Sequence, residues 1–141
     1  MIEPDPTSPV PLYLQIAEQL RRLIALGALR PGEKLPTVRE LAVQARVNRN
    51  TAARAIQRLE SEGVIRTRVG QGTFVQDPGG RLDRARCEEA VDRRLDGVLV
   101  EAHTLGMPLE ELGWRLSRRI EHFRRERQSS TLESTGSEDA S

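Results

Sequence analysis

Residues 35 to 75, LPTVRELAVQARVNRNTAARAIQRLESEGVIRTRVGQGTFV, constrain the fold of this 141-residue chain more than any other stretch. Thr37 precedes Val38 and has Glu40 three positions on, the signature of a capping box that opens a helix burying Val38, Leu41 and Ala42 and stopping near Ala45. After the turn Arg46-Val47, Asn48 is a suitable N-cap. Thr51, Ala52, Ala55, Ile56 and Leu59 then recur at helical spacing up to Gly63. Ala52 and Ala55 are small enough to let the two helices cross closely. Ile65 to Arg68 and Thr73 to Val75 alternate like paired strands, with Gly70 and Gly72 providing the permissive backbone between them. Two short helices followed at once by a Gly-turned hairpin predict a winged helix-turn-helix.

The polar residues of this stretch are suited to duplex DNA. From Arg46 to Leu59 the chain carries Arg46, Arg49, Arg54 and Arg58 with no acidic residue, and Asn48, Asn50 and Thr51 cluster at the helix start. Helix N-terminal amides and hydroxyls position phosphates, while Arg and Asn side chains match the edges of guanine and adenine. An Arg-rich helix is often only a solvated face. Here the cap, the turn and the wing favour DNA binding.

The run PLYLQIAEQLRRLIALGALRPGEKLPTVRELA from Pro11, then VNRNTAARAIQRLESEGVI and GQGTFV, resembles the N-terminal domain of GntR-type bacterial transcriptional regulators, over Val10 to Gln76. The resemblance implies operator contacts from Arg39, from Asn48 through Thr51, and from Gly70 and Gly72. Many relatives have an arginine two places after the helix threonine, where this chain has Ala53 and carries its arginine one place later, at Arg54. One residue rotates a helical side chain by about 100°, so base reading is assigned to Arg49 rather than Arg54, together with Asn48 and Asn50. Thr37, Arg39, Thr51, Arg54, Arg58 and the wing residues Arg68, Gly70, Gln71 and Gly72 are expected at the backbone or minor groove, with Arg58 the least secure.

An earlier helix runs from Pro11 to Gly27, with Leu12, Ile16, Leu20, Leu23 and Ile24 facing inward as the third helix of the domain core. Tyr13 reads as a packing residue rather than a ligand contact. Pro31-Gly32 marks a turn, and Lys34-Leu35 is a candidate short strand beside the wing.

Beyond the wing, Asp77 to Gly80 reads as a linker. It separates a DNA-binding domain over residues 1–76 from a two-helix domain over 81–127, the helices spanning about Arg81 to Leu105 and Pro108 to Arg127. Apolar residues recur at Cys87, Val91, Leu95, Val98, Ala102 and Leu105, and again at Leu109, Leu112, Leu116, Ile120 and Phe123. Such seams pack into a helical hairpin. Leu99 widens the first stripe and Trp114 lies off the second, so a further partner is needed. A second copy is the simplest, and Val91, Leu95, Val98, Leu99, Ala102, Leu112, Trp114, Leu116 and Ile120 are the expected dimerisation residues. Residues 128–141, polar and acidic, are expected to be disordered.

Charge follows the same division. Residues 1 to 76 hold 11 basic and 7 acidic side chains, a balance of +4, and residues 77 to 141 hold 11 and 14, a balance of −3, matching the total of +1. A positive module joined to a mildly negative one suits a DNA-binding domain attached to an interaction domain. No apolar run is long enough for a membrane span, and the N-terminus lacks the features of a signal peptide, so a cytoplasmic protein is expected. The single Cys87 excludes an internal disulfide and reads as a small apolar filler. His103 and His122, without a clear carboxylate partner, read as surface residues, so no metal or cofactor is expected.

The fold class is therefore mostly α with a small β-wing, a winged helix-turn-helix followed by an α-helical hairpin. The short two-helix tail resembles the YtrA subfamily, which implies a repressor, commonly of operons for ABC transporters. The expected function is a homodimeric repressor on a palindromic double-stranded operator; the residues identify neither a small-molecule effector nor the need for one. The alternative is a winged-helix protein-docking module without specific DNA binding. Nothing resembles an enzyme: there is no nucleophile and base pair, phosphate loop or metal set.

Overall fold

The computed structural model describes residues 2–77 and 84–138. Helices α1 (Leu12–Ala25), α2 (Val38–Ala45) and α3 (Arg49–Ser61) precede strands β1 (Ile65–Arg68) and β2 (Gly72–Val75), and α4 (Arg84–Thr104) and α5 (Glu110–Glu138) complete the chain.

The helix starts are set by local chemistry. Thr37 accepts a hydrogen bond from the Glu40 amide at 3.1 Å, and Asn48 accepts one from the Thr51 amide at 2.8 Å, each satisfying a donor that the first helical turn leaves open. Between them Arg46 adopts the left-handed conformation, with φ 57°, and ends α2. It is the one non-glycine residue with positive φ among the described residues, and this sharp turn sets α3 across α2.

The three helices and the hairpin close one core. Ile16 and Leu20 of α1, Leu41 of α2, and Ala52, Ala55 and Leu59 of α3 are buried together with Leu35, Ile65 and Val75. The two alanines are fully enclosed, so the close approach expected from their size is observed. Strands β1 and β2 pair antiparallel, with Ile65 opposite Val75 and Arg68 opposite Gly72. Residues 32–35 add to the free edge of β2: the Leu35 amide donates to the Thr73 carbonyl at 2.8 Å, the Val75 amide to the Glu33 carbonyl at 2.9 Å, and Lys34 bridges Phe74. The N-terminal arm joins the core as well. Ile2 is buried, and the side chains of Gln15 and Gln19 on α1 hold the backbone of Asp5 and Glu3.

Three expectations for the C-terminal part change. The seams of α4 and α5 do not close on one another, since Val91, Leu95, Val98, Leu116, Ile120 and Phe123 all remain exposed and only Ala102 of α4 is buried. Cys87 is exposed and fills no gap. Finally, α5 continues past Arg127 to Glu138 where disorder was expected. Composition could not reveal that α5 passes near α1 around this point. Arg22 of α1 donates to Glu126 at 3.0 Å, and a Cβ at Gly27 would sit 3.6 Å from Thr131 Oγ1. Residues 139–141, the rest of the expected tail, and residues 78–83, holding most of the expected linker and the first three residues of the expected first helix, lie outside the described residues.

Candidate nucleic-acid interface

Helix α3 presents its leading turn to solvent. Arg49 and Asn50 are exposed, and no hydrogen bond or ion pair ties either side chain within the described residues. Asn48 is exposed too, but its Oδ1 already accepts from the Thr51 amide. Its amide therefore offers donors only, whereas adenine readout needs a donor and an acceptor together. Of the expected base readers, Arg49 and Asn50 keep their full capacity.

The later arginines of α3 are engaged elsewhere. The Arg54 guanidinium lies 4.1 Å from the centre of the Tyr13 ring, a cation–π contact that joins α3 to α1. Arg58 Nε donates to Glu62 at 2.7 Å, and Glu62 also receives Arg21 of α1. Partial burial works against the Glu62 carboxylate, but hydrogen bonds from Arg58 and Arg21 and their charges outweigh it and hold its pKa below the usual value. Arg58 is thus part of a link between helices with its charge largely answered. Sequence spacing placed both arginines with Arg49; a contact with α1 engages Arg54, and a pair four residues on along the chain, Glu62, engages Arg58.

On α2, Arg39 is exposed in the first turn with no ion-pair partner among the described residues. Thr37, whose Oγ1 accepts from Glu40, retains its hydroxyl hydrogen.

The wing carries more charge than was assigned to it. Strand alternation puts Arg66 and Arg68 on one face with Phe74, which is cross-paired with Arg66 on one side and Lys34 on the other. Arg68 lies 5.0 Å over the Phe74 ring. The Lys34 side chain crosses Gly72 so closely that a Cβ there would meet its Cε at 2.5 Å, and with φ 119° Gly72 is in a conformation that suits glycine alone. At the tip Val69 is 98% exposed, and the Gln71 amide donates to the Arg68 carbonyl. Lys34 and Arg66 were not among the wing residues assigned from the sequence, although the period-two pattern of β1 already paired Arg66 with Arg68. The interface thus has a free α3 tip and a cationic wing.

Comparison with known proteins follows this geometry. The model of bacterial regulatory proteins of the gntR family matches residues 12–75, the helices and wing just described. The HTH-type transcriptional repressor YtrA of Bacillus subtilis (strain 168) is 38% identical, over 79% of this chain and 86% of that relative. Among solved structures, YtrA from Sulfolobus acidocaldarius, a GntR-family transcription factor, shares 37% identity over 67% of this chain and 97% of its own, with a TM-score of 0.54. A transcriptional antiterminator from Listeria monocytogenes EGD-e superposes over 87% of this chain and 92% of its own, with a TM-score of 0.75 and 28% identity. That last match extends well beyond the wing, so the likeness includes the helical arms.

Proposed function

We propose, from the premise that this chain belongs to the GntR family of bacterial regulatory proteins and is a YtrA-like transcriptional regulator, that it acts as a homodimeric repressor on a palindromic operator. Arg49 and Asn50 read base edges in the major groove. Asn48, Thr51, Thr37 and Arg39 fix the register on phosphates, and the wing from Arg66 to Gly72, with Lys34, follows the neighbouring backbone or minor groove.

The observation that carries this reading is the Arg49 guanidinium at the exposed tip of α3, with no hydrogen-bond or ion-pair partner among the described residues, while Arg58 further along the helix is paired with Glu62. A docking face for protein has little use for an unneutralised guanidinium at the tip of a helix, whereas a duplex neutralises it. The exposed seams of α4 and α5 support a second copy, because two chains can cover what one leaves open and thereby place two recognition helices on successive half-sites. Repression follows from occupying promoter-proximal DNA and excluding polymerase. The repressor YtrA among the relatives supports that sign, and an operon of transporter genes that includes this gene is the expected target.

The experiment is binding of the purified chain to its own upstream DNA across a salt series, with random DNA as control. The proposal expects preferential binding with a two-fold symmetric footprint. Equal, steeply salt-sensitive binding to both DNAs refutes base reading at that site, and a monomer by light scattering at micromolar concentration refutes the dimer.

A further inference from the structure

Helix α5 has a second face of different chemistry. Leu112, Leu116, Ile120 and Phe123 form its seam, and at about 100° per residue Trp114, Arg118, His122 and Arg125 fall on the opposite side. A copy seated on the seam leaves that side in solvent. It forms a shallow cavity of about 330 Å³, lined by Trp114, Arg115, Arg118, Arg119, His122 and Arg125, with no carboxylate in the lining.

Arg115 has Glu111 at 3.7 Å, but Arg118, Arg119 and Arg125 have no ion-pair partner among the described residues. Trp114 is 59% exposed, and the guanidiniums of Arg118 and Arg115 stand 4.9 and 5.9 Å from its ring. Covering these cations with an apolar protein surface would strip their water without recompense. A phosphate restores it, because the guanidinium fork matches phosphate oxygens two at a time. The exposed indole adds a flat platform for a heteroaromatic ring. From Trp114 to Arg125 the face spans about 16 Å of helix, the scale of one nucleotide with its phosphate chain. Paired bases within a duplex could not reach the indole.

We propose that this face of α5 binds a nucleoside polyphosphate, with the base stacked on Trp114 and the phosphates held by Arg118, Arg125 and His122. Trp114, grouped by its position in the sequence with the dimer residues, is thereby reassigned to a ligand. The site also reaches the DNA-binding domain. His122 Nε2 pairs with Glu126 Oε1, while Glu126 Oε2 accepts from Arg22 of α1 at 3.0 Å. A phosphate at His122 competes with Glu126 for the imidazole and repels its carboxylate, which loosens the tie from α5 to α1. The nucleotide is then an effector that lowers operator affinity. This regulatory half rests on the operator reading above; the binding half does not.

The test titrates the full-length chain with ATP in the absence of DNA, read by calorimetry and by the fluorescence of Trp114, the sole tryptophan. Saturable binding with a change in Trp114 emission is expected. Arg118→Gln and Arg125→Gln, both conservative on an exposed helix, should each weaken it about tenfold, and tripolyphosphate, which lacks the base, should bind at least about fivefold more weakly. No saturable binding, indifference to both substitutions, or equal affinity for tripolyphosphate overturns the proposal. At saturating ATP the affinity for the upstream DNA should fall about fivefold or more, and Glu126→Gln should bind ATP but lose this response. Unchanged DNA affinity of the ATP-bound protein overturns the regulatory half. Failure of the operator reading itself shows separately, as loss of preference for the upstream DNA without nucleotide.

Discussion

In the winged domain Ile16, Leu41, Leu59 and Ile65 are no more than 1% exposed, whereas in the helical arms Leu95, Val98, Leu116 and Ile120 are between 39% and 49% exposed. Both sets have the spacing of a core face. The winged domain can close because three helices and the hairpin surround a common core. Two long helices have no third layer to cover their stripes. The same apolar pattern therefore means an internal core in one region and an exposed stripe in the other. The winged unit closes its own core, whereas the arms leave their stripes open.

This contrast can be tested from both sides. Leu59→Ala, which empties a fully enclosed site on α3, should cost about 2 to 5 kcal/mol of folding stability, measured by denaturant unfolding; a cost under ~1 kcal/mol would show that the winged core is loosely packed. Ile120→Asp on the seam should instead leave that domain folded and convert dimer to monomer in light scattering. Concerted unfolding of the whole chain would break the distinction between the two regions.

Within the DNA-binding unit, Arg49→Ala should cost about 1 to 3 kcal/mol of operator affinity and relax preference at one base pair. Arg58→Ala, whose charge Glu62 already answers, should cost clearly less; equal losses in a binding assay would contradict the division seen on α3. Thr37→Ala removes the cap of α2 and should lower stability by ~1 kcal/mol, detectable as a shifted thermal midpoint.

The smallest effect concerns pH. The pKa of Glu62 is lowered in the folded protein, so its contribution is fully present above the ordinary value of about 4.5 and is lost as pH falls through the lowered folded value. Glu62→Gln should remove that acid-side component while costing at most ~1 kcal/mol near neutrality, because the link is largely exposed. Comparing the unfolding of the two proteins between pH 6 and pH 3 (roughly one to two units either side of the ordinary value) checks it; parallel curves would show that the Arg21–Glu62–Arg58 link carries no stability.

Much of the fold was legible in the chain. The caps at Thr37 and Asn48, the stops near Ala45 and Gly63, the wing strands and the Gly106 break between α4 and α5 all appear where local signals put them. The site was legible only in part. Among the described residues Arg49 and Arg39 have no ion-pair partner, Arg54 meets Tyr13 and Arg58 meets Glu62, and Lys34 and Arg66 join the wing unannounced. The end of α5 was misjudged because a polar, acidic segment looks disordered by composition, which cannot reveal that α5 passes near α1.

By itself the sequence determined where helices begin and end, which stripes are apolar and which glycines turn the chain, because those choices depend on hydrogen bonds and side-chain spacing within a few residues. Only the tertiary structure decided that Arg54 meets an aromatic ring and Arg21 reaches Glu62, that Ile2 completes the core, and that the seams of the arms stay open. These outcomes depend on groups far apart in the chain. Tyr13 meets Arg54, and Arg21 meets Glu62, only once α1 packs on α3, and no local rule can register a charge that is answered from another helix.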